Sequence, residues 1–437
     1  MIINMFRVFT AFLFISVVYA KHEIYDGASV YEVQVENKAQ SKVVSTLEEQ
    51  LGLDIWSRPG PSRSGMVLVP KNSKEEFAYK LRLAGIKFQT SVDNVKEQLE
   101  IEDRLLAAAS DKISYDRSNK AALPLNRVYR WQEVENHMVQ LAQTYPDKVT
   151  LVNGGPTYEG RPVNYLRVST TNFQDLSKPV VFIMSLLHSR EWITQAATLY
   201  ALDQLLVNNT ESDLINDIDW IIMPTANPDG YIFSHDSDRF WRKNRKYGRR
   251  CMGVDLNRNY DINWGTESSD SPCYEDYHGT EPFSEPESVV TKKILEEHQD
   301  RIQLFLDIHS YGSYVLYGYG NGELPPNGEA LSSVGVLIGD AIDAAKLINN
   351  PNYTVGNLAQ TLYPASGGSQ DYALSVGVPY SYCLELPAFR GSSSITGFLV
   401  DPEFIEQAGY ETWEGIKAGA RYALNNYRMR KEIQITV

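Results

Sequence analysis

The sequence predicts an α/β fold, a mixed, mostly parallel central sheet flanked by helices, preceded by a small ferredoxin-like α+β domain. Three observations carry that reading. From about residue 128 onward, nearly pure apolar runs ("PVVFIMSLL", "WIIMP", "LFLDIH", "SYCLEL") alternate with long helical patterns. Unbroken apolar strands separated by helices mark a sheet buried on both faces, hence a largely parallel one. Residues 30–92 instead read as strand "SVYEVQV", helix "SKVVSTLEEQLG", strands "LDIW" and "GMVLV", helix "SKEEFAYKLRLAG" and strand "IKFQTS". That β-α-β-β-α-β order is the ferredoxin-like one. Between the two regions, residues 99–122 carry scattered charges, small residues and basic side chains at Arg104, Lys112, Arg117 and Lys120. Such a stretch reads as an exposed connector open to proteases.

Bulk composition limits what the chain can do. With 437 residues, 43% hydrophobic and 22% charged, it has the composition of a folded protein of more than one domain. A net charge of -14 disfavours nucleic acid, whose binding needs a clustered basic surface to displace counterions. The first twenty residues, "MIINMFRVFTAFLFISVVYA", combine Arg7, an apolar stretch from Val8 to Val18 and small residues at Val18 and Ala20. They predict a secretory signal peptide cleaved after Ala20, and so a secreted, extracellular protein. The apolar stretch is too short for a spanning helix, and no later run reaches that length. Cys251 and Cys273 bracket a polar, turn-rich loop where a disulfide could persist after export. Cys383 lies in the apolar run "PYSYCLEL", where a free thiol behaves as a small hydrophobe. Sequons at Asn208 and Asn352 permit glycosylation.

The chemistry starts from "LLHSREWIT", where His188 and Glu191 stand three apart after an apolar run. Pairs of this kind also arise by chance, and His235/Asp238 and His278/Glu281 are two more. Context separates them. In parallel α/β sheets ligands bind at the carboxyl ends of the strands. His188 follows "FIMSLL", His309 ends "LFLDIH" and Glu385 ends "SYCLE", so all three gather at one sheet edge. The other two pairs follow no strand and read as surface loop residues. Two histidines and a carboxylate with an open fourth position form a catalytic zinc set. By itself, the run with Arg242, Arg245, Arg249 and Arg250 reads as a solvated basic surface. No G-x-S-x-G elbow occurs, which disfavours a serine hydrolase on a similar sheet.

Ordered segments then carry a specific resemblance: "HSREWIT", "NPDGY", "RFWRKNR", "GVDLNRNYD", "IHSYG", "ASGGSQDY" and "LEL". Residues 120–430 resemble a secreted metallocarboxypeptidase of the funnelin type, the carboxypeptidase A/B family, and the N-terminal domain resembles its inhibitory pro-segment. After the signal peptide read over 1–20, the resemblance implies a pro-domain over 21–98, a connecting segment over 99–117 and a catalytic domain over 118–437. It implies one zinc ion held by His188, Glu191 and His309, and Glu385 as the general base that takes a proton from the attacking water. Arg242 is similar to the arginine that stabilises the oxyanion. Asn257 and Arg258 match the clamp for the substrate's terminal carboxylate, for which a guanidinium fork is the natural bidentate partner. Tyr363 resembles the mobile tyrosine that closes over that carboxylate, and Arg190 and Tyr311 match positions that contact the substrate. Gln370 falls where the family has the residue deep in the terminal side-chain pocket, and Cys383 matches a pocket-wall position. A catalytically dead relative that only binds peptides would lack the base or a ligand, yet every such position is filled. The expected protein is a monomeric zymogen, activated by a trypsin-like protease with Arg117 the preferred cut, that acts on peptides and proteins with a free C-terminus. Neither nucleic acid nor membrane is an expected partner.

Overall fold

A computed structural model describes residues 21–61, 63–111, 122–388 and 397–436. The signal-peptide expectation, the preferred cut at Arg117 and its alternative Lys112 lie outside the described residues. Two compact units result: residues up to Arg104 together with His235–Arg239, and Leu105–Ser234 together with Phe240 onward.

The first unit follows the expected order. β1 (Ser29–Gln34), α1 (Lys38–Leu51), β2 (Asp54–Ser57), β3 (Gly65–Val69), α2 (Lys74–Leu83) and β4 (Lys87–Val92) build one antiparallel sheet of order β2-β3-β1-β4. α1 starts where the Asn37 side chain accepts a hydrogen bond from the Gln40 N–H. It ends at Gly52, whose φ of 63° suits a residue without Cβ. Helical spacing puts Val44 and Leu47 of α1 beside Phe77 and Leu81 of α2, against Val33 and Val67 of the sheet. α3 (Val95–Asp111) follows, so the charged connector is helical over its first half and carries exposed Arg104 on that helix.

The second unit is built on one eight-stranded sheet. In chain order its main elements are α4 (Trp131–Thr144), β5 (Val149–Pro156), β6 (Pro162–Val168), β7 (Val180–Ser185), α5 (Thr194–Asp203), β8 (Asp219–Met223), α6 (Pro228–Asp236) and α7 (Pro286–Glu297). They continue with β9 (Ile302–Ser310), β10 (Tyr314–Tyr317), α8 (Gly328–Ala345), β11 (Thr354–Asn357), α9 (Ser369–Ser375), β12 (Tyr380–Leu386) and α10 (Pro402–Thr436). The order is β11-β10-β12-β9-β7-β8-β6-β5. Its centre, β12-β9-β7-β8, is parallel, while β10, β6 and β5 join antiparallel. The four apolar runs of the sequence are these four central strands. Every residue of β7, β8 and β9 is buried, because both faces are covered. Val181, Ile183, Leu304 and Leu306 face a core closed by α4, α5, α8 and α10. Phe182, Met184 and Phe305 face one closed by α7 and α9. α10 approaches α8 closely at Gly415, where a Cβ would stand 2.5 Å from Ile342.

Cys251 and Cys273 form the expected disulfide, with Cα atoms 5.1 Å apart, and Cys383 is buried and free. His235 and His278, expected on the surface, are not exposed. His235 lies on α6 and His278 beside the Trp264 ring at 4.4 Å, and both are buried. His278 Nδ1 stands 3.0 Å from the Ser268 hydroxyl, so this polar ring is held by a hydrogen bond. No helix among the described residues is long and apolar enough to cross a membrane.

Candidate active site

Three strand ends position the site. β7 stops at Ser185, and the turn after it carries His188 and Glu191. β9 carries His309 next to its last residue, and the parallel register of β12 sets Glu385 directly opposite His309. Alternation along β9 puts Asp307 on the same face as His309, while Leu306 and Ile308 go to the opposite core.

Nδ1 of His188 lies 2.9 Å from Oε1 of Glu191, and Nδ1 of His309 lies 3.0 Å from its Oε2. The two Nδ1 atoms face each other at 3.0 Å. All three side chains are buried, and their donor atoms lie within 4.8 Å of one another. This donor set fits zinc: two neutral imidazole nitrogens and a carboxylate converge on one point, and a divalent cation satisfies all of them together. Each far ring nitrogen is held by a carboxylate, His188 Nε2 by Asp255 at 2.9 Å and His309 Nε2 by Asp307 at 2.8 Å. Those contacts fix the rings so that Nδ1 points inward. Ser369 donates its hydroxyl to Asp307, and the Ser310 N–H donates to Glu191 at 3.1 Å.

Burial alone would raise the Glu191 carboxyl, but the attraction and hydrogen bonds of the His188 and His309 rings outweigh it and hold it low. Glu385 goes the other way: burial, then the nearby Glu191 carboxylate, raise its pKa above the ordinary carboxylate range. A carboxylate so raised is a stronger base.

Asp255 also receives Arg242, at 3.1 Å from Nε and 2.9 Å from Nη2, which leaves Nη1 3.9 Å from Glu191. Burial would lower the guanidinium pKa, but Asp255 and then Tyr363 and Glu191 raise it, so Arg242 is a permanent cation. Taken alone, the basic run read as solvated surface. Its first part is instead drawn inward, with Arg242, Lys243 and Asn244 all shielded. Asn257 bridges the site: its Nδ2 lies 3.2 Å from His309 Nε2 and its Oδ1 accepts from the Ser369 N–H at 2.8 Å. Arg258 donates from Nη1 to the Asn257 carbonyl at 2.7 Å, while its buried Nε has no partner among the described residues. A buried guanidinium with a spare donor is suited to an incoming anion.

Arg190 lies over the Phe398 ring at 4.4 Å, and Tyr311 meets the same ring edge-on at 4.9 Å. Tyr363 packs on the buried cluster of Leu316, Leu358, Ala365 and Cys383. Gln370 is buried, donates to Asp371 at 3.0 Å and keeps its Oε1 without a partner among the described residues. Asp255, Asp307, Ser369 and Phe398 escaped the sequence reading. For Asp307 a signal was there, a carboxylate two residues before a strand-end histidine, hence on the same face.

Residues 134–415 match the family model described as zinc carboxypeptidase, and residues 31–102 match that of the carboxypeptidase activation peptide. The chain belongs to the zinc carboxypeptidase family. Among its relatives, carboxypeptidase B of Helicoverpa zea is 41% identical over 421 residues, 94% of this chain and 97% of that protein. Zinc carboxypeptidase A 1 of Drosophila melanogaster is 32% identical over 415 residues, 91% and 92% of the two chains. The crystal structure of carboxypeptidase A from Helicoverpa armigera aligns with a TM-score of 0.89 and 54% identity, covering 92% of this chain and 99% of that one. The protein is therefore a zinc carboxypeptidase zymogen. It carries its activation peptide at the N-terminus and hydrolyses the C-terminal peptide bond of its substrates.

Proposed function

We propose that this zinc carboxypeptidase is a secreted monomer, activated by a trypsin-like cut in the connecting segment, that releases single uncharged C-terminal residues. His188, Glu191 and His309 hold the zinc, which polarises the scissile carbonyl and acidifies water when bound. Glu385 takes the proton of the attacking water and returns it to the leaving amine. Arg242 meets the developing oxyanion in a water-poor site where a fixed charge acts most strongly. Asn257, Arg258 and Tyr363 receive the terminal carboxylate, Arg190 contacts residues nearer the substrate's N-terminus, and Tyr311 contacts the substrate. Support for these roles comes from the register that sets Glu385 beside His309, together with the spare donor on Arg258. The Arg7-led apolar leader supports secretion, and Arg117 remains the preferred cut.

The terminal preference rests on one observation: Gln370 is buried, neutral and presents an open acceptor. Its neighbour Asp371 is already engaged by the Gln370 amide and by the Gly320 N–H at 2.8 Å. Burial pushes the Asp371 carboxyl up to about 7, which further reduces its charge. A Lys or Arg terminus would lose its hydration without gaining a full counter-charge. Peptides differing only in a terminal Phe, Leu, Gln, Lys or Glu test this through kcat/KM. Phe, Leu and Gln should lead, and Gln370→Asp should shift activity toward Lys and Arg. A roughly tenfold wild-type preference for Lys, about 1.4 kcal/mol, overturns the reading.

A further inference from the structure

The "NPDGY" segment, residues 227–231, matches the family pattern but takes no part in the chemistry above. Its asparagine is fully buried beyond the end of β8 and uses every hydrogen-bonding group it has. Asn227 N–H donates to the Leu186 carbonyl at 3.1 Å, and its carbonyl accepts from the Tyr231 N–H at 3.0 Å. The side-chain Oδ1 accepts from the Gly230 N–H at 3.0 Å, capping α6. The side-chain Nδ2 does something a cap does not require. It donates to the Leu187 carbonyl at 3.2 Å and the Lys243 carbonyl at 3.1 Å.

Those two carbonyls belong to the residue immediately before His188 and the residue immediately after Arg242. One amide thus joins the turn that carries a zinc ligand to the loop that carries the cationic side chain. Two features show that the joint is under constraint. Leu186, buried and not a glycine, is held at φ 55°, a conformation that costs about 1 kcal/mol and persists only when its surroundings impose it. Gly230 leaves no room for another atom, because a Cβ there would stand 2.5 Å from the Lys243 carbonyl and 2.6 Å from the Asn227 amide. The backbone repeats the link, since Ser189 N–H donates to the Arg242 carbonyl at 3.1 Å.

We propose that Asn227 is a positioning residue that sets Arg242 at its working distance from the zinc ligands, through the paired contacts of its amide with Leu187 and Lys243. This rests on the assignment of Arg242 to the oxyanion. Any displacement of the Arg242 loop is felt only when charge develops on the carbonyl oxygen, so it lowers kcat and leaves ground-state binding alone.

The test uses the activated, zinc-loaded enzyme. Asn227→Ser keeps an oxygen to cap α6 but removes the Nδ2 donors. We expect kcat to fall roughly 10- to 100-fold, part of the effect of losing an oxyanion donor, with KM within about twofold and zinc content unchanged. Affinity for a tetrahedral phosphonate peptide analogue should drop by the same factor as kcat/KM, while affinity for the released product amino acid stays constant. In an Arg242→Gln background the serine substitution should cost less than about threefold, because there is no arginine left to place. The same full loss in both backgrounds, or weakened phosphonate and product binding alike, overturns the proposal and leaves the role of Arg242 standing. An Arg242→Gln enzyme with normal kcat removes that role itself, and the proposal with it. Should Asn227→Ser fail to fold, Gly230→Ala displaces the same Lys243 carbonyl from the other side. A folded Gly230→Ala enzyme with wild-type kcat then overturns the proposal.

Discussion

Glu385 and Glu191 are the same residue type with opposed surroundings, and the roles proposed for them rest on that difference. Glu191 faces two imidazoles and stays ionised, whereas Glu385 faces Glu191 and burial and holds its proton more tightly. Glu385→Gln should therefore retain zinc, because no ligand is touched, and lose nearly all turnover, because an amide cannot accept the proton. Metal analysis beside single-turnover assays checks both halves, and near-normal turnover would show that the base lies elsewhere. His188→Ala should lose zinc and activity together. With Glu385 in its proposed role the base must be deprotonated for turnover, so kcat/KM should decline as pH falls through the Glu385 pKa. Burial places that decline above the ordinary carboxylate value of 4.5. A pH profile flat down to that value would contradict the account.

At the scale of elements, the loop carrying Arg242 is anchored to the start of α7 by buried polar groups. Asn244 donates to Glu285 at 2.8 Å and to Glu287 at 3.2 Å, and Lys246 pairs with Glu285 at 2.7 Å. Glu287 gets no such cation. Burial pushes it up to about 8, with Glu285 and Asp229 adding repulsion, and its Oε1 has no partner among the described residues. The folded state thus binds this proton more tightly than the unfolded chain. The associated stability is fully present below pH 4.5 and is lost as pH rises through about 8. Glu287→Gln removes the titration while keeping the shape. Its Tm should match that of the parent near pH 5 and exceed it at pH 9, as read by calorimetry. Parallel Tm curves at the two pH values would show that Glu287 ionises freely in the folded protein.

For the whole molecule, the activation peptide and the catalytic domain have separate cores, as two folding units would. Full-length protein should be nearly inactive on peptides, gain activity on limited trypsin treatment and lose it again with a zinc chelator. Mass spectrometry of the new N-terminus checks whether the cut follows Arg117. Equal activity before and after trypsin would mean that the N-terminal unit exerts no control. α3 refines the expectation for the other basic site: Arg104 is exposed but helical, and proteases need extended chain, so cleavage there should be slow.

Much of this was legible in the linear order of residues. The four apolar runs announced a sheet covered on both faces, because only a strand with two buried sides can lack alternation. The strand-end positions of His188, His309 and Glu385 announced the metal site, because parallel strands present their carboxyl ends together. What the tertiary structure alone decided are the contacts between residues far apart in the chain. Asp255 lies 67 positions from His188 yet orients its ring, and Asn227 serves two carbonyls 40 and 16 positions away. His235 and His278 looked exposed because their neighbours are polar, but the chain packed against them buries them all the same. Periodicity reports which face of an element is covered; it carries no information on which distant segment covers it. A partner for a buried polar group is therefore settled only when the elements pack.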